Sequence, residues 1–158
     1  MKVKPLIFAI DEEGIWYSVN PNYLEYGIEL TKDDNGNPYP QTEKSLDYKL
    51  LFNRARNSWA NNLEEALKHQ QDFHKEIIES YIEKYQIKPL EFYQANELFW
   101  WVKGQYLDYE IRTPFQDNNY YGLQFHSQLI HKTDTLEEAM EFFQKFHKMI
   151  IESYIEKD

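Results

Sequence analysis

The titratable side chains best placed to do chemistry in this 158-residue chain are His74 and His147, each set in the middle of an apolar stripe. A pair of histidines where two halves of a chain meet can bind a metal or respond to pH. Metal ligation needs further ligands, and neither an HExxH motif nor a closely spaced His/Asp pair accompanies them. A core histidine bonded to backbone or to a tyrosine hydroxyl explains the same pattern and is favoured, because buried polar groups are almost always partnered. His126 and His131 lie in strand-like sequence and read as ordinary strand histidines. Glu64/Glu65 and Glu137/Glu138 resemble paired carboxylates for acid–base work, but acids in a first helical turn complement the helix dipole. The chain has no cysteine and only 5 Gly, which rules out thiolate chemistry and leaves no glycine-rich phosphate loop. No Ser/His/Asp grouping or GxSxG motif is present. No catalytic residue, metal or cofactor is therefore expected, and the enzymatic alternative is a small hydrolase with a His/carboxylate site.

Residues suited to recognition are better represented. Glu65, Asp72, Glu76, Glu79 and Glu83 are spaced to share the outer face of one helix, with few bases among them. Such a ridge can occupy a basic groove on a partner, although a charged face is more often simply solvated. Trp100-Trp101 with Phe99, and Trp16-Tyr17, are adjacent aromatics in strand-like sequence. Alternation sends one of each pair inward and the other to the opposite sheet face, where Trp and Tyr serve as interface anchors, are buried by the opposite copy, or stack on single-stranded nucleic acid, a use the negative charge disfavours.

The elements that position these residues follow from a repeat. The segment LEEALKHQQDFHKEIIESYIEK (Leu63 to Lys84) returns as LEEAMEFFQKFHKMIIESYIEK (Leu136 to Lys157), with 16 of 22 positions identical at an offset of 73. Upstream, Lys4-Pro5-Leu6 matches Lys88-Pro89-Leu90, and YLEYGI (Tyr23 to Ile28) matches YLDYEI (Tyr106 to Ile111). These offsets of 84 and 83 assign the first copy about ten extra residues. The insertion falls in the Gly/Pro/Asn-rich stretch near 31–45, which reads as a loop. The chain is thus expected to be a tandem repeat, residues 1–85 and 86–158.

Each copy carries short aromatic-rich strands and then one helix. PLIFAI, GIWYSV, YLEYGIEL and YKLLFN answer to PLEFYQA, LFWWVKG, YLDYEIRT and YYGLQFHS, with QLIHK as a further candidate in copy two. Asp11 to Gly14 reads as a hairpin turn. Thr135 with Glu138 is a capping box, and Asn62 with Glu65 its counterpart. Leu136, Met140, Phe143, His147, Ile150 and Tyr154 form one helical stripe; Leu63, Leu67, Gln70, His74, Ile77 and Tyr81 form the other. The expectation is α+β: an antiparallel meander of three to four strands followed by one long helix, repeated about a pseudo-two-fold axis.

Composition bounds the partners. The net charge is −10, from 17 Lys+Arg against 27 Asp+Glu, which repels phosphate backbones and favours a basic protein surface over direct nucleic-acid binding. No apolar run is long enough to span a membrane, and the short N-terminal apolar run, broken by Asp11, Glu12 and Glu13, is not a signal-peptide core. A cytoplasmic monomer or homodimer is expected.

Copy two, read as PLEF…WWVKGQYLDYEIRT…YGLQF…DTLEEAMEFFQKFHKMIIESYI, resembles small phage- and prophage-encoded domains of uncharacterised role that run as strands followed by a "TLEEA" helix. Copy one departs from that pattern by its loop insertion and by ANNLEEAL in place of TDTLEEAM. The helix start is also similar to that of HicB-type antitoxins, whose earlier strands fit this chain poorly. The phage-type resemblance implies a non-enzymatic accessory protein that inhibits a host defence or nucleic-acid-processing complex, as anti-CRISPR proteins do. The antitoxin resemblance implies a regulatory module that neutralises a partner through its sheet edge. On the first reading Glu65, Asp72, Glu76, Glu79, Glu83, Trp16, Trp100 and Trp101 are the partner-binding residues.

Overall fold

A computed structural model describes residues 1–19, 23–32, 35–37, 48–102, 104, 106–116 and 118–156. Most of the expected insertion, 33–34 and 38–45, lies outside the described residues. The chain is α+β and forms two compact units: Met1–Ser80 together with Tyr154–Asp158, and Tyr81–Ser153. These units divide the chain at different places from the sequence repeat, since Tyr81 to Tyr85 go to the second unit and the last residues, from Tyr154, to the first.

In unit 1, strands β1 (Phe8–Ile10), β2 (Trp16–Ser18), β3 (Tyr26–Leu30), β4 (Tyr48–Phe52) and β5 (Ala55–Ala60) form an antiparallel meander in chain order. Helix α1 (Leu63–Ser80) follows. The Asp11–Gly14 turn forms as expected: Gly14 N–H donates to the Asp11 carbonyl at 3.1 Å, and Gly14 takes φ +81°, a value open to glycine. Asn62 Oδ1 accepts from Glu65 N–H at 2.9 Å, capping α1. One sheet face is the core, where Ile28, Leu50, Ala60 and Ala66 are buried with Phe8, Trp16, Tyr48, Leu63 and Leu67 packed around them.

Unit 2 opens with a two-stranded hairpin, β6 (Ile82–Glu83) and β7 (Gln86–Ile87). A second five-stranded meander follows: β8 (Phe92–Asn96), β9 (Phe99–Val102), β10 (Tyr109–Arg112), β11 (Tyr121–Phe125) and β12 (Gln128–Thr133). Helix α2 (Leu136–Ser153) closes the unit, and its capping box is complete. Glu138 N–H donates to Thr135 Oγ1, and Thr135 N–H to Glu138 Oε2, both at 3.2 Å. Ile111, Leu123, Ala139, Phe143 and Ile150 are buried on the helix-facing side.

Each sheet has five strands where three to four were expected. The added strands are β5, which carries no sequence signal, and β12, expected only as the candidate QLIHK; both are polar edge strands reached through tight turns that contain no glycine. Asn53-Arg54 and His126-Ser127 both take positive φ at their two central positions, the pattern of a type I′ hairpin turn, and Lys84-Tyr85 does the same in the β6–β7 hairpin. Asn and His are among the residues that tolerate this region, so the turns carry no Gly signature.

The matched Lys-Pro-Leu motifs have a mechanical explanation. Leu6 N–H donates to Gln71 Oε1 at 2.8 Å, and Gln71 Nε2 donates back to the Leu6 carbonyl at 2.7 Å. Leu90 and Gln144 make the same pair at 2.9 and 2.8 Å. A helical glutamine thus satisfies both backbone groups of the leucine, while the leucine side chain is buried.

Candidate protein-interaction surface

Three groups of residues compete for a functional role: the buried histidines, the acidic helix face and the aromatic sheet faces.

His74 and His147 are each 1% exposed. His74 Nδ1 lies 3.0 Å from Tyr26 Oη, and Nε2 lies 3.2 Å from the Lys4 carbonyl. Because a carbonyl can only accept, Nε2 carries the proton and Tyr26 O–H donates to Nδ1. Tyr154 packs edge-on against the His74 ring at 4.8 Å, and its hydroxyl accepts from Leu24 N–H at 3.0 Å. In unit 2, His147 Nδ1 sits 2.9 Å from Tyr109 Oη, and Tyr81 packs on the ring at 4.9 Å while accepting from Leu107 N–H at 3.0 Å. The Lys88 carbonyl favours the protonated form of His147 but falls outside hydrogen-bond geometry, so His147 Nε2 has no bonded partner. Desolvation lowers both histidines to a pKa of about 4, against the weaker upward pull of these carbonyls. Burial likewise raises Tyr26 and Tyr109 above the ordinary tyrosine value, and Tyr154 to about 12. Each is a neutral, buried His–Tyr cluster inside its own unit. Among the described residues no group of three His, Asp or Glu side chains is placed to hold a metal.

The acidic face is less continuous than its spacing suggests. Helix α1 ends at Ser80, so Glu83 is not on it; Glu83 lies in β6, in unit 2. The helical period stops there because the chain turns into the β6–β7 hairpin. Glu65, Asp72, Glu76 and Glu79 are all exposed on α1. Asp72 is held by Lys68 at 2.5 Å and Glu79 by Lys75 at 3.7 Å, both i,i+4 pairs, while Glu65 Oε2 accepts from Asn61 N–H at 3.1 Å. Lysines thus neutralise part of the ridge locally, although α1 as a whole keeps five acids against two lysines.

The tryptophans divide between the sheet faces. Trp16 pairs with buried Ile28 and packs against the unit 1 core; Trp100 pairs with buried Ile111 and is half-buried. Trp101 faces the other way and is 43% exposed. Register places it in a row across the whole of the second sheet: Tyr93, Trp101, Glu110, Gln124, Leu129. Tyr93 is 44% and Leu129 50% exposed, and Tyr93 meets Trp101 edge-to-face at 6.3 Å. Trp101 Nε1 donates to Glu110 Oε2 at 3.2 Å, and Glu110 Oε1 accepts from Arg112 Nε at 2.7 Å. The adjoining outward row adds Phe99 beneath the Arg112 guanidinium at 5.5 Å, and Lys132 lies 4.2 Å over the Tyr120 ring. A Cβ added at Gly122 would face Leu129, Arg112 and Tyr120, which confirms that these residues share one face. The sequence singled out Trp101 with Phe99 but missed Tyr93, Arg112 and Leu129. Only the register across four strands brings them together.

The sheet edges are guarded. β1 has three residues, and β5, β8 and β12 each contain one residue outside the pairing register, at Asn57, Ala95 and Ile130. Short or bulged edges resist strand addition. Neither helix among the described residues is long and apolar enough to cross a membrane. Comparison with protein families, with curated proteins and with solved structures finds no match.

Proposed function

We propose that the chain is a non-enzymatic protein-binding module, built from two copies of one sheet-plus-helix unit, whose main contact is the open face of the second sheet. The observation that carries this reading is the row Tyr93–Trp101–Glu110–Gln124–Leu129 with Phe99 and Arg112 beside it. Exposed Trp, Tyr and Arg clustered around an apolar centre are the composition of interface hot spots. An ion pair to Glu110 already orients Arg112 and a hydrogen bond to the same carboxylate orients Trp101, so less side-chain entropy is lost on docking.

The partner this favours presents a basic surface. A net charge of −10, with five acids against two lysines on α1, draws such a surface in at long range. Single-stranded nucleic acid also stacks on aromatic sheet faces. Here, among the described residues, the face offers Arg112 and Lys132, the first already paired with Glu110, within an acidic chain. The guarded edges argue against an antitoxin acting by strand addition, and burial of both histidines argues against a hydrolase built on them. The phage-type resemblance extends the proposal to an inhibitor that blocks the basic surface of a host defence or nucleic-acid-processing complex.

The test is parallel affinity capture from host lysate with the native chain and with Tyr93→Ala/Trp101→Ala. The expected result is a basic protein retained by the native chain and weakened by about 2 kcal/mol or more, roughly 30-fold in Kd, in the variant. A partner held equally by both, at unchanged thermal stability, would sink the assignment of this face.

A further inference from the structure

Each unit is closed by the same short strand pair, but the two pairs are connected differently. In unit 2 the pair is the β6–β7 hairpin, in which Ile82 faces Ile87 and Lys88 N–H donates to the Tyr81 carbonyl at 2.8 Å. Lys84 and Tyr85 alone join its strands. In unit 1 Ile155 faces Val3, Lys4 N–H donates to the Tyr154 carbonyl at 2.8 Å, and Glu156 N–H donates to the Lys2 carbonyl at 2.8 Å. No turn links this second pair, since Lys2 and Glu156 stand 154 positions apart. The residues that arrive are the same, Ser-Tyr-Ile-Glu-Lys at Ser80 to Lys84 and at Ser153 to Lys157. Each tyrosine finds an equivalent seat. Its ring packs on His147 or His74, and its hydroxyl accepts from Leu107 or Leu24 N–H at 3.0 Å.

The difference in connection decides what can take each seat. The two-residue turn keeps Ile82 beside Ile87 within one chain. The segment from Tyr154 to Glu156, by contrast, belongs to unit 1 only through non-covalent contacts, because the helix that precedes it, α2, lies in unit 2. A second copy of the chain offers an identical segment and an identical seat. We propose that two copies exchange this segment reciprocally, each placing its Tyr154 in the other's unit 1. Every bond named above is remade, so the contacts favour neither form and concentration sets the balance. The dimer carries the Tyr93–Trp101 face twice, a consequence that rests on the binding-module reading; the exchange itself does not.

The experiment exploits a chain without cysteine. Val3 and Ile155 form a non-hydrogen-bonded antiparallel pair, a geometry with Cα atoms about 4.5 Å apart and within reach of a disulfide. The full chain with Val3→Cys/Ile155→Cys is unfolded, refolded at about 1 mM and at about a hundredfold dilution, and oxidised with glutathione disulfide. Nonreducing electrophoresis and peptide mapping locate the bond. The expected product at the higher concentration is a dimer linked from position 3 of one copy to position 155 of the other. It should be about tenfold or more scarcer at the lower concentration, where the bond closes within one chain. Adding Tyr154→Ala should abolish this dimer, and Ile82→Cys/Ile87→Cys should give internal bonds at both concentrations. The exchange is overturned if Val3→Cys/Ile155→Cys gives internal bonds only, if its dimer survives Tyr154→Ala, or if the hairpin variant dimerises to the same extent. Should the cysteine variant not fold, light scattering of the native chain refolded at the same two concentrations decides. A two-chain mass at the higher one supports exchange, and a single-chain mass at both overturns it.

Discussion

At the scale of single residues, the chain commits two histidines to its interior in neutral form. His74 is satisfied at both ring nitrogens, by Tyr26 and the Lys4 carbonyl, whereas His147 is satisfied at one. Apolar spacing was enough to anticipate core histidines, but not their partners, because Tyr26 lies 48 positions from His74 and no local pattern links them. The consequence is a dependence on acid. Folding lowers both pKa values from the ordinary 6.5 to about 4, so the unfolded chain binds protons more readily. The full stability is present above about pH 6.5 and falls as pH drops through the window from 6.5 to 4, on the order of 3 kcal/mol per histidine. Thermal melts from pH 7.5 down to 4.5 should show Tm falling throughout the lower part of that range. A flat profile would mean that the histidines are already protonated in the folded chain or are exposed to water.

At the scale of elements, legibility tracks how local the determining physics is. Helix starts were readable because a cap closes within three residues, and the buried stripe was readable because 3.6-residue periodicity is a property of one segment. Ala66 and Ile78 widen that stripe on α1, as Ala139 and Ile151 do on α2. Edge strand β5 was not readable. It is exposed at four of its six positions, so no alternation marks it, and the Asn53-Arg54 turn and pairing to β4 hold it in place; β12, read only as the candidate QLIHK, is held likewise by the His126-Ser127 turn and β11. The open-face cluster was equally hidden, since its members come from different strands and meet only through register. One cap gives a direct check. Thr135→Ala removes the acceptor for Glu138 N–H and should cost about 1 kcal/mol in chemical denaturation of the full chain. Asn62→Ala should cost a similar amount through Glu65 N–H. If neither substitution moves the denaturation midpoint, then the capping bonds contribute nothing to stability.

At the scale of the whole molecule, the repeated octet IIESYIEK has one physical job performed twice. After α1 the chain continues as Tyr81 in unit 2, where the Tyr81 carbonyl accepts from Lys88 N–H at 2.8 Å and its hydroxyl caps Leu107 N–H. After α2 it continues as Tyr154 in unit 1, where the carbonyl accepts from Lys4 N–H at 2.8 Å and the hydroxyl caps Leu24 N–H. A bridge between Val3 and Ile155 and the Lys2–Glu156 ion pair at 3.1 Å extend the attachment in unit 1. Sequence order therefore predicts the wrong address for each tyrosine, and substitution can tell the two addresses apart. Tyr154→Phe strips the acceptor from a buried backbone N–H in unit 1, at a cost of about 1–3 kcal/mol. Hydrogen exchange should then quicken at Leu24 and Lys4 and stay unchanged at Leu107 and Lys88, with Tyr81→Phe producing the converse. Faster exchange at Leu107 in the Tyr154 variant would assign each tyrosine to its own repeat instead, and with it the division of the chain into these two units would fall.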